Sequence, residues 1–194
     1  MKKIKVAVLI SGRGSNLRAL VKACKNDDFP AEISLVISNK KDAAGLEFAK
    51  ENNIKTAFIN HKLFNNRADF DKEVSKTIEE NNCQLVCLAG FMRILSSYFV
   101  NHWQGKLINI HPSLLPAFKG DKAVKDALEA GVKESGCTVH YVIEEVDAGK
   151  IIDQEKVEVK ENDNIETLAA RILEKEHILY PRALKKVCEE LNNQ

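Results

Sequence analysis

Asn109 and His111 stand two residues apart at the end of an apolar run, Leu107-Ile108-Asn109-Ile110-His111, and a segment with two prolines, Pro112-Ser113-Leu114-Leu115-Pro116, follows at once. Alternate residues of a strand share a face, so the amide and the imidazole would project the same way at the strand's carboxyl end. Pro112 fixes its own φ and keeps His111 out of the helical region, which stiffens that orientation. An amide donor beside a titratable ring suits an anionic intermediate: both can donate to a developing oxyanion, and the ring can also move a proton. Each residue has a structural reading as well, Asn109 as a cap of the following turn and His111 as a satisfied strand-end histidine.

Two further segments carry polar groups that could reach the same rim. Ser11-Gly12-Arg13-Gly14-Ser15-Asn16 lies between an apolar run and a helical pattern, where glycines allow a tight turn and free N–H groups at a helix start can hold a phosphate. The dinucleotide fingerprint asks for a third glycine where Leu17 stands and for an acid after the second strand, which ends Ile37-Ser38-Asn39. The loop therefore suits a single phosphate; the other reading is an ordinary turn with Ser15 as helix N-cap. The second segment is the acidic turn Glu144-Glu145-Val146-Asp147-Ala148-Gly149. A carboxylate beside His111 would orient the ring and favour its cationic form, and Asp147 is the candidate because Ala148-Gly149 lets the backbone turn closely. A solvated acidic turn is the alternative. No HExxH sequence occurs, the five histidines (His61, His102, His111, His140, His177) lack ligand spacing, and no nucleophile elbow surrounds Ser113, so neither a metal site nor a serine hydrolase is expected.

The elements that must hold these residues alternate. Apolar runs over 4–10, 33–38, 55–59, 85–89 and 107–110 read as strands, and amphipathic stretches over 16–25, 43–51, 67–81 and 123–130 as helices. Residues 137–142 and 151–159 read as strands with no full helix between them, hence antiparallel additions, and 165–191 as a long helix bent near Pro181. The expected fold is α/β: a single Rossmann-like, open, twisted, mostly parallel sheet with helices on both faces and late antiparallel strands. At 194 residues, 44% hydrophobic and 29% charged, the chain suits one soluble domain. A net charge of +1 supplies no field for nucleic acid, and no stretch approaches the length of a membrane span. Met1-Lys2-Lys3 precedes an apolar run too short for a secretory leader, and five scattered cysteines read as buried, reduced thiols, so a cytoplasmic setting is expected.

Taken together, these segments resemble the folate-dependent phosphoribosylglycinamide formyltransferase family over nearly the whole chain. The matching elements are Ile10–Asn16, Leu88-Ala89-Gly90-Phe91-Met92-Arg93-Ile94-Leu95, Ile108–Pro116, Asp147-Ala148-Gly149, and Glu176-His177 before Tyr180-Pro181. The resemblance implies a formyltransferase fold in a single domain over 1–194, with a phosphate-binding half about 1–100 and a folate and catalytic half about 101–194. It implies transfer of a formyl group from the co-substrate 10-formyltetrahydrofolate to the amine of phosphoribosylglycinamide in purine synthesis, without a metal. Gly14, Ser15 and Asn16 would hold the substrate phosphate and Glu176 its polar groups. Met92, Arg93, Ile94, Leu95, Asn109, Val142 and Glu144 would meet the folate, and Asn109, His111 and Asp147 would be catalytic. The expected partners are small molecules only, with no nucleic acid and no membrane, and the chain a monomer or homodimer. Formyltetrahydrofolate deformylase is the neighbouring possibility, although that family tends to carry an extra amino-terminal domain and a second histidine where Asn109-Ile110-His111 stands. A non-catalytic folate- or nucleotide-binding module is the third. One departure stands out: Lys119 occupies a proline position of the family, and Lys122 and Val124 occupy histidine positions, so Lys122 would either be solvated or add charge beside an anionic substrate.

Overall fold

The computed structural model describes residues 3–193; Met1, Lys2 and Gln194 lie outside the described residues, and with them most of the charged start that precedes the first strand. The chain alternates through β1 (Ile4–Ile10), α1 (Ser15–Cys24), β2 (Ala31–Ser38), α2 (Ala44–Glu51), β3 (Lys55–Phe58), a 3₁₀ turn (His61–Leu63), α3 (Arg67–Glu80), β4 (Leu85–Leu88) and α4 (Ser97–His102). It continues through β5 (Leu107–His111), α5 (Ala123–Glu129), β6 (Glu134–Tyr141), β7 (Ile151–Glu158) and α6 (Ile165–Asn192). The strands form one seven-stranded sheet in the order β3-β2-β1-β4-β5-β6-β7. The pairs β1–β2, β1–β4, β2–β3 and β4–β5 are parallel, and β5–β6 and β6–β7 antiparallel. The strand order reverses between β1 and β4, the place where open α/β sheets leave a crevice at their carboxyl ends.

Strand alternation sorts the core into two layers. Val6, Val8, Ile10, Ile108 and Ile110 pack with residues of α1, α2 and α6, while Ala7, Leu9, Val86, Leu88 and Leu107 pack with residues of α3 and α4. β1 is buried along its whole length except at Lys5, as a central strand covered on both faces must be. α6 runs on through Pro181, although proline removes one backbone donor. Its buried stripe of Leu179, Tyr180, Ala183, Leu184 and Val187 holds it to the sheet, and the Tyr180 hydroxyl donates to the Leu88 and Ile108 carbonyls at 2.8 and 3.2 Å. Asn164 and Thr167 close a reciprocal cap at its start.

Two outcomes differ from expectation. α4 was not anticipated: its only strongly apolar residues are Phe99 and Val100, and it forms because Ser96 caps it and Trp103, just past its end, docks by an Nε1–H bond to Ser75 at 2.8 Å. β6 starts at Glu134, ahead of the apolar run, because it pairs with β7 from Glu134↔Glu158 onward. The five cysteines are free thiols, and burial pushes those of Cys24, Cys137 and Cys188 up to about 12. No helix among the described residues is long and apolar enough to cross a membrane.

Candidate active site

β5 delivers Asn109 and His111 to the face that carries Leu107, the α3/α4 side of the sheet. Antiparallel pairing sets Asn109 opposite His140 and His111 opposite Thr138, and opposed residues share a face, so His140 joins the two. The acidic turn between β6 and β7 folds back over this edge. Asp147 Oδ2 lies 3.3 Å from His111 Nδ1 and accepts the Gly120 N–H at 2.9 Å, while Oδ1 lies 3.6 Å from His140 Nε2. The turn is possible because Asp147 takes a left-handed conformation, φ 51°, and because Gly149 presses on the Tyr141 carbonyl where a Cβ would collide. Burial on its own would push the Asp147 carboxyl up. The facing imidazoles of His140 and His111 and the Gly120 N–H outweigh it and hold the carboxyl below the usual range.

His111 is buried and engaged at both nitrogens. Nε2 lies 2.8 Å from the Phe118 carbonyl, and since a carbonyl only accepts, Nε2 carries a hydrogen there. Phe118 itself has φ 53°, left-handed for a bulky residue, so its carbonyl is turned onto the ring at a conformational cost. The Asn109 amide, by contrast, hydrogen-bonds to no described side chain and opens on a cavity of about 150 Å³. That cavity is lined by Arg93, Ile94, Leu95, Asn109, Val142 and Glu144, together with His140 and Asp147. Met92 has an exposed side chain beside this wall, and its N–H donates to Ser11 Oγ at 2.8 Å. Glu144 is bound from the other side, accepting from Ser97 Oγ and Asn101 Nδ2 at 2.8 Å each, so α4 pins the acidic turn over the cavity.

The glycine loop lies at the head of α1. Gly14, φ 70°, is the N-cap, and no side chain caps the helix, so the reading of Ser15 as N-cap is corrected: Ser15 is the first helical residue. A left-handed N-cap is open to glycine, and with no serine oxygen turned inward the first N–H groups face outward, as an anion would need. The loop is seated by the Gly45 N–H donating to Gly12 O at 3.1 Å. Asn16 and Glu176 are both buried and meet, Nδ2 donating to Oε2 at 2.8 Å, which ties the loop to α6. Asn16 Oδ1 is buried without a partner among the described residues, and burial pushes the Glu176 carboxyl up. Arg13 is exposed on this loop. Lys119 pairs with Glu145 at 2.9 Å, so it fastens the loop after β5 to the acidic turn.

Residues 4–184 match the formyl transferase family. The chain belongs to that family. The human trifunctional purine biosynthetic protein adenosine-3 is 54% identical over 186 residues, which is 96% of this chain and 18% of that protein. The chain thus spans less than a fifth of the length of this longer relative. Among formyl transferases of similar length, the phosphoribosylglycinamide formyltransferase of Haemophilus influenzae is 45% identical over 181 residues, covering 93% of this chain and 85% of that one. The fold is that of the solved family members: glycinamide ribonucleotide transformylase 1 from Symbiobacterium toebii superposes with a TM-score of 0.94 at 41% identity, covering 97% of this chain and 89% of that one.

Three groups around this candidate site carry no signal that singles them out in the sequence. His140 sits on the Asn109 face only by virtue of the β5–β6 register, which Thr138-x-His140 could have suggested once an antiparallel pair was assumed. The Phe118 carbonyl is a backbone group and leaves no residue-type signal. Ser11 opens the glycine loop but points to the other side of the sheet.

Proposed function

We propose that this formyl transferase moves the formyl group of 10-formyltetrahydrofolate to the amine of 5′-phosphoribosylglycinamide, a step of de novo purine synthesis. The chain acts as one formyltransferase domain, with the phosphate held in its amino-terminal half and folate binding and catalysis centred on its carboxyl-terminal half. The observation that carries this reading is Asp147 bridging His111 and His140 beside an unengaged Asn109 amide, at the edge of a cavity.

The chemistry runs as direct attack. The glycinamide nitrogen bonds to the formyl carbon, whose oxygen becomes an oxyanion; the carbon–N10 bond then breaks, and the proton lost by the amine is delivered to the departing folate nitrogen. Asn109 donates to the oxyanion. Protonated His111 is the second donor, and it reaches the oxyanion when Nε2 leaves the Phe118 carbonyl. Asp147 supports the charged ring and, through water, receives the amine proton and passes it on. Arg93, Ile94, Leu95, Val142 and Glu144 wall the folate side. Gly14, Ser15 and Asn16 hold the phosphate at the head of α1, and Glu176 meets the ribonucleotide's hydroxyls, with the orphaned Asn16 Oδ1 beside it. Ligands are small molecules, and the buried thiols support a reducing, cytoplasmic setting.

The test is a spectroscopic assay of folate product from 10-formyltetrahydrofolate with and without the ribonucleotide. Turnover that requires the ribonucleotide is the expected result. Turnover without it indicates the hydrolase, and binding of folate without turnover in either case indicates a binding module.

A further inference from the structure

Ser11 closes β1 and opens the glycine loop, so its place in the sequence puts it with the phosphate. Its side chain is used elsewhere. Strand parity places it with Ala7 and Leu9 on the α3/α4 face, the face of Asn109 and His111, whereas Gly14–Asn16 lead to α1 on the opposite face. There the hydroxyl is buried and fully used: Oγ accepts the Met92 N–H at 2.8 Å and donates to Asn39 Oδ1 at 2.6 Å. The Ser11 N–H donates to the Gly90 carbonyl at 3.0 Å, so one residue clips both sides of the turn at Gly90, which itself has φ +74°. Asn39, also buried, donates from Nδ2 to His61 Nδ1 at 3.3 Å, which fixes the direction of the chain of bonds. The turn held in this way runs directly into Arg93, Ile94 and Leu95 on the cavity wall.

We propose that Ser11 is a positioning residue for the folate side of the site and not for the phosphate, through the Met92 N–H that it accepts. This rests on the formyl-transfer reading above. With alanine at position 11, the Met92 N–H loses its acceptor and the buried Asn39 Oδ1 its donor, and the turn at 90–92 is freed to shift. A buried polar group left unsatisfied is costly, so the penalty falls on whichever ligand depends on that turn.

The test is steady-state kinetics of Ser11→Ala, Ser11→Thr and Asn39→Ala with both substrates varied. Ser11→Ala is expected to raise the KM for 10-formyltetrahydrofolate roughly tenfold while the KM for the ribonucleotide stays within about twofold. Ser11→Thr, which keeps the hydroxyl, should restore the folate KM. Asn39→Ala should move the same constant less, and the double variant should be no worse than Ser11→Ala alone, because the two residues act in one chain. A rise in the ribonucleotide KM instead, an equal rise in both, or no change in either overturns the proposal. Should Ser11→Ala prove unstable in a thermal melt, Asn39→Ala carries the same comparison. Failure of the wild-type protein to transfer formyl to the ribonucleotide would instead remove the functional reading itself.

Discussion

Asp147 and Glu176 are both carboxylates with little exposed surface at the site, and their surroundings treat the charge differently. Asp147 has a backbone N–H and two imidazoles facing it, whereas Glu176 has a single amide donor, Asn16 Nδ2. The Asp147 carboxyl is accordingly held low and that of Glu176 is raised, chiefly by burial. The sign of each pH effect follows. Asp147 stabilises the fold above the ordinary aspartate pKa of about 3.9, and that contribution is lost as the pH falls through its lower folded value. Urea denaturation of wild type and Asp147→Asn should therefore differ most near neutrality and converge in acid. Glu176 behaves oppositely, favouring the fold at low pH and costing stability as the pH rises through its raised value. At pH 7, Glu176→Gln should melt at or above the wild-type temperature while its KM for the ribonucleotide rises, a pairing expected where a site keeps an ill-solvated charge for its ligand. Asn109→Ala should lower kcat on the order of a hundredfold or more, the usual loss for one oxyanion donor, with little effect on stability because the amide has no described partner to lose.

At the scale of elements, the segment between β4 and α4 is held from two sides. Ser11 grips its start, and Asp71 of α3 accepts the Ser96 N–H at 2.6 Å at its end, with Phe70 stacked on Phe91 at 6.5 Å and lying 5.2 Å from the Arg93 guanidinium. Asp71 is almost fully buried, and burial pushes its carboxyl up. Asp71→Ala should cost about 1–3 kcal/mol in chemical denaturation because the Ser96 N–H loses its acceptor, whereas Asp71→Asn, which keeps an acceptor without the charge, should be neutral or stabilising at pH 7. This region also marks the limit of what the sequence discloses. The apolar runs of β1, β4 and β5 announce themselves, and parity alone puts Asn109 beside His111. α4 does not, since six residues with so few apolar positions become a helix only through the Ser96 cap and the docking of Trp103 on α3. His140 needs a strand register, and the Phe118 carbonyl needs the path of a loop; neither is a property of local residue types.

Across the whole molecule, the glycine loop, the Asn109/His111 edge and the 91–95 wall, the proposed phosphate, catalytic and folate elements, are joined by contacts distant in sequence: Asn16 to Glu176, Ser11 to Met92, and Tyr180 to the carbonyls of Leu88 and Ile108. The amino- and carboxyl-terminal halves are therefore expected to unfold together. Four of the five cysteines are buried, and the thiols are raised to about 11 in Cys83 and about 12 in Cys24, Cys137 and Cys188, so the native protein should react slowly with iodoacetamide. Labelling should rise in a single transition that coincides with the fluorescence change of the buried Trp103, and two separated transitions would show that the halves are independent.

The most direct measurement is single-turnover transfer of an isotopically labelled formyl group from 10-formyltetrahydrofolate, comparing wild-type protein with Asn109→Ala in the presence of phosphoribosylglycinamide. Label on the glycinamide nitrogen with wild type, appearing on the order of a hundredfold more slowly with the variant, is the predicted result. Label recovered as free formate, or a variant as fast as wild type, would contradict the assignment of this edge of the sheet as a formyl-transfer site.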